Sequence, residues 1–256
     1  MFYPVSIIRG HVYCLEMYAP WRHRRAPAAF LFSRALCLFG AGILLAGLAC
    51  CLVALSFGLL YSVIDPPVTS LMLLRPYEYG YRIEPVRYLR LDEIPKAVQS
   101  LVVEAEDSSF YTHGGIDLVS MKAAWKADRE LGYFKYGGST ITQQLVRSLF
   151  LSTRRNLPRK CAETIMAVVF DLVVSKRRQL ELYLNYVEWG KGVYGIQAGA
   201  LAAYGRPVNA LTQDEIVRLI AVLPNPVRYR PKNLPAEGEI AARYDRLRLA
   251  ASKMGD

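Results

Sequence analysis

Apolar residues fill one unbroken stretch of the chain and then recur at helical spacing. Positions 35 to 64, ALCLFGAGILLAGLACCLVALSFGLLYSVI, hold no charged side chain. About 20 apolar residues suffice to cross a bilayer as a helix. This stretch therefore predicts one transmembrane helix with room to tilt, ended by Asp65, Pro66 and Pro67. A signal peptide has an apolar core of roughly 7–15 residues and an A-x-A-like cleavage site. This stretch is longer and contains no such pattern, and GLAC at 47–50 has Gly47 where a lipoprotein box wants a large aliphatic residue.

Beyond the stretch, Leu71, Met72, Leu73 and Leu74 are apolar and Tyr77, Tyr79, Tyr81 and Tyr88 follow. Tyrosines here suit either the membrane interface or a short strand pair with aromatic faces. Further on the period is that of helices. Asp92 caps one, with Pro95 in its first turn and Ile94, Val98, Leu101 and Ala105 on one face. Thr140 and Gln143 form a capping box, Pro158 opens a helix to about Val174, and Ser175 caps another through Asn185. Thr212 and Glu215 make a further box, with Pro224 closing that helix. Strand signals are few, so the fold class is mainly α. The expected organisation is a segment 1–34, a membrane helix 35–64, a juxtamembrane linker 65–91 and a domain 92–256.

Charge orients this arrangement. The first 34 residues carry Arg9, Arg22, Arg24, Arg25 and Arg34 against Glu16, a surplus of 4. The positive-inside rule keeps that end cytoplasmic. Residues 65–256 hold 27 basic and 21 acidic groups. Beside a membrane, that modest excess suits anionic headgroups or a phosphorylated substrate better than nucleic acid. Only Cys161 lies beyond the membrane, which rules out an internal disulfide there, and His113 is the one histidine past it.

Candidate chemistry concentrates in four segments. In EAEDSSFYTHGGID, 104–117, Glu104, Glu106 and Asp107 crowd the end of an apolar helix. Acids at a helix C-terminus oppose its dipole. Apolar packing favours a carboxyl's neutral form, so an acid placed there is suited to carry a proton. In YGGSTITQQL, 136–145, a glycine pair leads into a capped helix start that exposes backbone N–H groups. Ser139, Thr140, Thr142, Gln143 and Gln144 add hydroxyls and amides suited to sugars, with Arg147 on the face of Gln143. In PRKCAE, 158–163, Arg159 and Lys160 share a helical face with Glu163. In SKRRQLELYLN, 175–185, Glu181 pairs with Arg177 at i+4. Gly190, Gly192 and Gly195 spell G-x-G-x-x-G, but that fingerprint needs a preceding strand, and ELYLNYVEW before it reads as helix. Two carboxyls, cations and amides beside a membrane point to glycosyl chemistry and leave open whether bonds are made or broken.

EDSSFYTHGGID, GGSTITQQLVRSLFL, RKCAE, SKRRQLELYLN and LPNPVRYRP together resemble the successive signature blocks of the family 51 glycosyltransferases, the peptidoglycan glycosyltransferases. They stand in the family's order over about residues 100–231. VEWGKGVYGIQAGA and AVLPNPVRYRP resemble the monofunctional, membrane-anchored branch, with no S-x-x-K of a transpeptidase. The resemblance implies a lysozyme-like α domain that polymerises lipid II into β-1,4-linked glycan strands with release of undecaprenyl diphosphate. It implies Glu106 as general base and Glu163 as the second acid, aiding departure of the diphosphate directly or through a divalent ion. Ser139, Thr140, Gln143, Gln144, Arg147, Arg159, Lys160, Tyr183 and Asn185 match substrate-contacting positions. Asp107, Phe110, His113 and Gly115 match the framework of the first block. No cofactor is required, and Glu163 is the position where Mg or Mn is allowed. The implied partners are lipid II, the nascent strand, the membrane and other cell-wall synthesis proteins, with the chain in a bacterial inner membrane and its catalytic domain periplasmic. The aromatics Trp125, Tyr133, Phe134 and Tyr136 suit a membrane-facing lobe. Arg147-Ser148 replaces the family's usual Lys-Asn, and residues 1–34 exceed what an anchor needs. The alternative is a lysozyme-like murein-cleaving enzyme. A non-catalytic scaffold would lack an acid or the Gly-Ser-Thr block, and both are present.

Overall fold

A computed structural model describes residues 7–8, 11–12, 28–80, 82–131, 138–152, 154 and 156–254. The chain divides into Met1–Leu44 and Leu45–Asp256. In the first unit β1 (Ile7–Ile8) and β2 (His11–Val12) pair antiparallel, with Ile7 opposite Val12. Helix α1 (Ala28–Tyr61) starts there and ends in the second unit. Its apolar part, Phe32–Tyr61, has mean hydropathy 2.6 over 30 residues. At 1.5 Å per residue such a helix reaches about 45 Å, against about 30 Å of bilayer hydrocarbon.

The last turns of α1 are docked rather than free. Ala54 and Tyr61 are buried, and the Tyr61 ring stacks on Phe150 at 6.1 Å. Gly58 permits the approach, since a Cβ there would meet Val173 Cγ2 at 2.6 Å. Helix α2 (Ser70–Tyr79) follows, capped by Thr69. It has no counterpart in the sequence reading, because Pro76 interrupts its pattern. It carries Tyr77 and Tyr79, both exposed, which sets aside the strand pair, one of the two readings of these tyrosines; Tyr81 lies outside the described residues.

Helix α3 (Lys96–Glu106) begins after Pro95 and not after Asp92, which sits in a 3₁₀ turn at Leu91–Glu93. Proline disfavours the α conformation in the residue before it, so the helix cannot run back through Ile94. Then come α4 (Leu118–Leu131), α5 (Ile141–Phe150), α6 (Leu157–Val173) and α7 (Lys176–Tyr186). Thr140 and Gln143 form the expected capping box, Asn156 caps α6 with Pro158 in its first turn, and Ser175 caps α7. A hairpin of β3 (Glu188–Gly190) and β4 (Val193–Tyr194) interrupts the helices. A strand thus precedes the glycine fingerprint, where helix was expected. It is antiparallel and two-stranded, which is not the βαβ setting dinucleotide binding requires. Helices α8 (Ile196–Tyr204), α9 (Gln213–Ala221) and α10 (Glu239–Met254) complete the chain, with the Thr212–Glu215 box on α9 as read from the sequence.

The core forms where α5 packs on α6 and α7 while α10 packs on α9 and α3. Leu145, Val146, Phe170, Leu180, Leu184 and Ile220 fill it. Helix α2 lies on α5. Glu181 on α7 ties the stretch before α3 to this core. It accepts from Leu91 N–H and from the Tyr88 hydroxyl, each at 2.7 Å, and pairs with Arg178 rather than with the expected Arg177. Arg178 also donates to Asp65 at 2.7 Å and to the Tyr61 carbonyl at 2.8 Å, at the end of the long apolar helix.

Burial opposes ionisation of Glu181, but the Leu91 N–H, the Tyr88 hydroxyl and Arg178 outweigh it and hold its carboxyl below the usual glutamate range. A carboxyl lowered on folding stabilises fully above its unfolded value and ceases to as pH falls through the folded one. Glu181→Gln should therefore lower the melting temperature at neutral pH. The gap from wild type should close as pH drops below about 4.3, the ordinary glutamate value, in a pH series of thermal melts.

Candidate active site

Glu106 is the last residue of α3. Polar partners hold its carboxyl where apolar packing was expected. One oxygen accepts from Gln144 Nε2 at 2.9 Å, and the other accepts from the Arg243 guanidinium, whose Nη1 also reaches the Ala105 carbonyl at 3.2 Å. The helix end is crowded with acids because each does something different. Asp107 turns inward, accepting from Ile141 N–H and from His113 Nε2, each at 2.9 Å. It thereby joins the end of α3 to the start of α5. Glu104 remains beside the site at the rim of a small cavity.

Helix α5 presents the amides. The buried Tyr183 hydroxyl donates to Gln144 Oε1 at 3.0 Å. That bond fixes the amide so that its NH₂ faces Glu106. Burial, with the Glu106 charge nearby, pushes the Tyr183 phenol well above its ordinary value, so it stays a donor. Gln143, one residue before Gln144, is fully buried. It closes the capping box with Thr140 and donates to Thr164 at 3.2 Å. Asn185 is likewise buried and holds Leu89 through both its N–H and its carbonyl. Both were expected among substrate contacts. They are instead the inner supports of the site, because their amides are consumed by backbone and side-chain partners.

The cations stand further along. Glu163 is 0% exposed and paired with Arg159 and Lys160, and Lys160 also donates to Ser139 Oγ at 2.8 Å. The resemblance made Glu163 the second acid, aiding departure of the diphosphate. The structure closes it over with two cations, because a buried carboxylate is tolerable only when paired. Both its oxygens are thus occupied and do not fit a divalent ion, and among the described residues no three His, Cys, Asp or Glu gather to hold one.

A groove joins these groups. One cavity of about 520 Å³ is lined by Glu106, Ser139, Gln144, Arg147 and Arg243, and another of about 460 Å³ by Gln144, Arg147, Arg159, Tyr183 and Arg75. They share Gln144, Arg147, Leu223 and Pro224 and so run together. Among the described residues Arg147 pairs with no carboxylate, leaving its charge for a ligand. Arg75 on α2 is braced by Glu188 on β3 at 2.9 Å. Thr140 supports the floor by donating to the Gly115 carbonyl at 2.6 Å. Phe110 is fully buried beneath Lys176, whose Nζ lies 4.7 Å from its ring centroid.

Gly115 has φ +80, and a Cβ there would fall 2.5 Å from the Ala167 carbonyl oxygen. Gly115→Ala should cost about 2–4 kcal/mol from left-handed backbone and overpacking together. A thermal melt checks this.

Sequence reasoning missed Arg243, Arg75 and Glu188. Ile240, Leu247 and Ala251 form the buried face of α10, so the helix carrying Arg243 was detectable by its period, although its partner was not. Trp125 is exposed; Tyr133, Phe134 and Tyr136 lie outside the described residues.

A carboxylate with two fixed donors at one end of a groove and guanidinium groups at the other can take a proton from a hydroxyl and hold an anionic leaving group. The sequence model of the family described as "Transglycosylase" matches residues 78–252. The chain is 40% identical over 176 residues to a biosynthetic peptidoglycan transglycosylase of Nitrobacter winogradskyi, covering 68% of this chain and 76% of that one. It is 34% identical over 200 residues to the protein of that name in Cupriavidus metallidurans, covering 76% and 85%. With the one in Azoarcus sp. it shares 38% over 188 residues, covering 72% and 80%. The fold, the groove and these matches together make the chain a member of the transglycosylase family.

Proposed function

We propose that the protein is a peptidoglycan glycosyltransferase that polymerises lipid II into glycan strands. The observation that carries this reading is that Glu106 and Arg147, which pairs with no carboxylate among the described residues, line one groove, a proton acceptor and an anion site in a single cavity. Glu106 takes the proton from the 4-hydroxyl of the acceptor's N-acetylglucosamine. That oxygen bonds to the anomeric carbon of the growing strand from the face opposite its diphosphate. The bond from carbon to the diphosphate oxygen breaks with its electron pair, giving a β-1,4 linkage by inversion. Arg147, Arg159 and Lys160 offset the charge on the departing lipid diphosphate, which is the electrostatic part of the catalysis. Gln144, set by Tyr183, keeps the Glu106 carboxylate aimed.

Cleavage of existing glycan fits less well. Glycosidases place two carboxyl groups about a neutral bond, whereas Glu163 is buried and Arg147 has no role toward a neutral leaving group. The exposed apolar side chains Leu118, Val119, Leu157 and Leu172 suit contact with lipid. With α1 they support membrane attachment, and the basic N-terminal segment supports a cytoplasmic N-terminus and an external catalytic domain.

The test is incubation of the full-length protein in detergent with lipid II, with and without the phosphoglycolipid moenomycin. Glycan that forms and is suppressed by moenomycin is the expected result. Release of soluble muropeptides from purified sacculi, with lipid II untouched, would overturn it.

A further inference from the structure

Two segments that mark the branch, VEWGKGVYGIQAGA and AVLPNPVRYRP, supply no group that acts at Glu106. They meet around a separate cavity of about 540 Å³ walled by Trp189, Lys191, Tyr229, Arg230, Lys232 and Asn233. Building on the polymerase reading above, we propose that this cavity is an exit subsite that holds the nascent glycan strand by its sugar faces and peptide carboxylates.

Three observations support it. The first is an unused donor. Trp189 is 2% exposed, and among the described residues its Nε1–H is buried without an acceptor. Leaving a buried donor unmet costs free energy, and Trp189 is one of the side chains that line this cavity. The second is charge. Lys191, Arg230 and Lys232 line the cavity, and among the described residues no acid lines it. Two aromatic walls with a few polar groups suit a sugar ring, and three cations suit carboxylates.

The third is continuity with the catalytic groove. Pro226 lines both the cavity and the part of the groove holding Arg147 and Arg159. Strand β3 separates them, with Glu188 lining the groove and Trp189 the cavity. Successive strand residues project to opposite faces, so one short strand serves both spaces. A product passing over Pro226 moves from one into the other. A peptidoglycan strand carries an acidic peptide on alternate sugars, and both of its chemical features find partners here.

The test uses the full-length protein in detergent micelles with ¹⁵N-labelled tryptophan. Its 3 tryptophans give separate indole signals. Trp21→Phe and Trp125→Phe assign the remaining one to Trp189 without disturbing the cavity. The probe is a disaccharide–tetrapeptide released from murein by a muramidase. The expected result is a saturable shift of the Trp189 indole signal. In a Lys191→Glu/Lys232→Glu variant the Kd should rise by about tenfold or more, the loss of charge-assisted contacts, and products from lipid II should be shorter. An indole signal unmoved by the probe, or an equal shift with the free tetrapeptide lacking sugar, which would indicate a peptide-binding site, overturns the exit subsite. Failure of the wild-type protein to polymerise lipid II is a separate result that overturns the polymerase reading itself.

Discussion

Glu106→Gln should lower lipid II polymerisation by about 10²–10⁴-fold, the usual contribution of a positioned general base, while leaving the melting temperature nearly unchanged. The amide keeps the shape of the carboxyl and retains an oxygen for Arg243 or for Gln144. What it loses is the capacity to accept a proton. Arg243 loses its ion pair, but its guanidinium lines the groove and keeps the amide oxygen as an acceptor, so the loss of stability should be small. The two readouts together separate catalysis from folding. A Gln variant that polymerises at the wild-type rate would remove Glu106 from the mechanism. A variant that loses activity only because it melts earlier would make Glu106 a structural residue.

Glu163→Ala should do the reverse, lowering stability strongly and activity with it. The carboxylate is fully buried between Arg159 and Lys160. Removing one partner of a buried pair costs about 3–5 kcal/mol because a charge is left uncompensated, a fall in melting temperature of the order of 10 °C for a chain this size. Replacing a whole buried ion cluster by apolar groups is often neutral or stabilising. The triple variant Arg159→Met/Lys160→Met/Glu163→Leu should therefore recover the melting temperature but not polymerisation, since the cations facing the leaving group are gone. A Glu163→Ala protein that melts like wild type yet makes no glycan would instead place Glu163 in the reaction itself. Melting curves and a lipid II assay on the two variants decide between these outcomes.

The contrast between the two acids shows what was legible. Both were identified from short blocks, EDSSFYTHGGID and RKCAE, yet nothing in either block shows that Glu106 lines a groove and Glu163 is closed over by cations. Gln143 and Gln144 make the same point at closer range. Consecutive residues on a helix differ by about 100° in direction, since 3.6 make a turn. Two neighbouring glutamines therefore have opposite fates, Gln144 bonding Glu106 and Gln143 closing a cap inside. The expectation of apolar packing at Glu106 failed because its partner Arg243 lies 137 positions away on α10.

The amino-acid sequence alone determined the long apolar helix, most of the later helices with their Thr140, Ser175 and Thr212 caps, and the succession of blocks that carries the chemistry. Each of these depends on forces acting within a few residues: unbroken apolarity, a 3.6-residue period, a side chain reaching the third N–H ahead. Tertiary structure alone decided which polar groups open onto the groove, that Arg243, Arg75 and Glu188 belong to it, that the end of α1 docks through Gly58, and that residues 188–190 form a strand. Those outcomes rest on contacts between segments far apart along the chain. Their free energy appears only when the core closes and each buried charge or amide must find a partner in the space left to it.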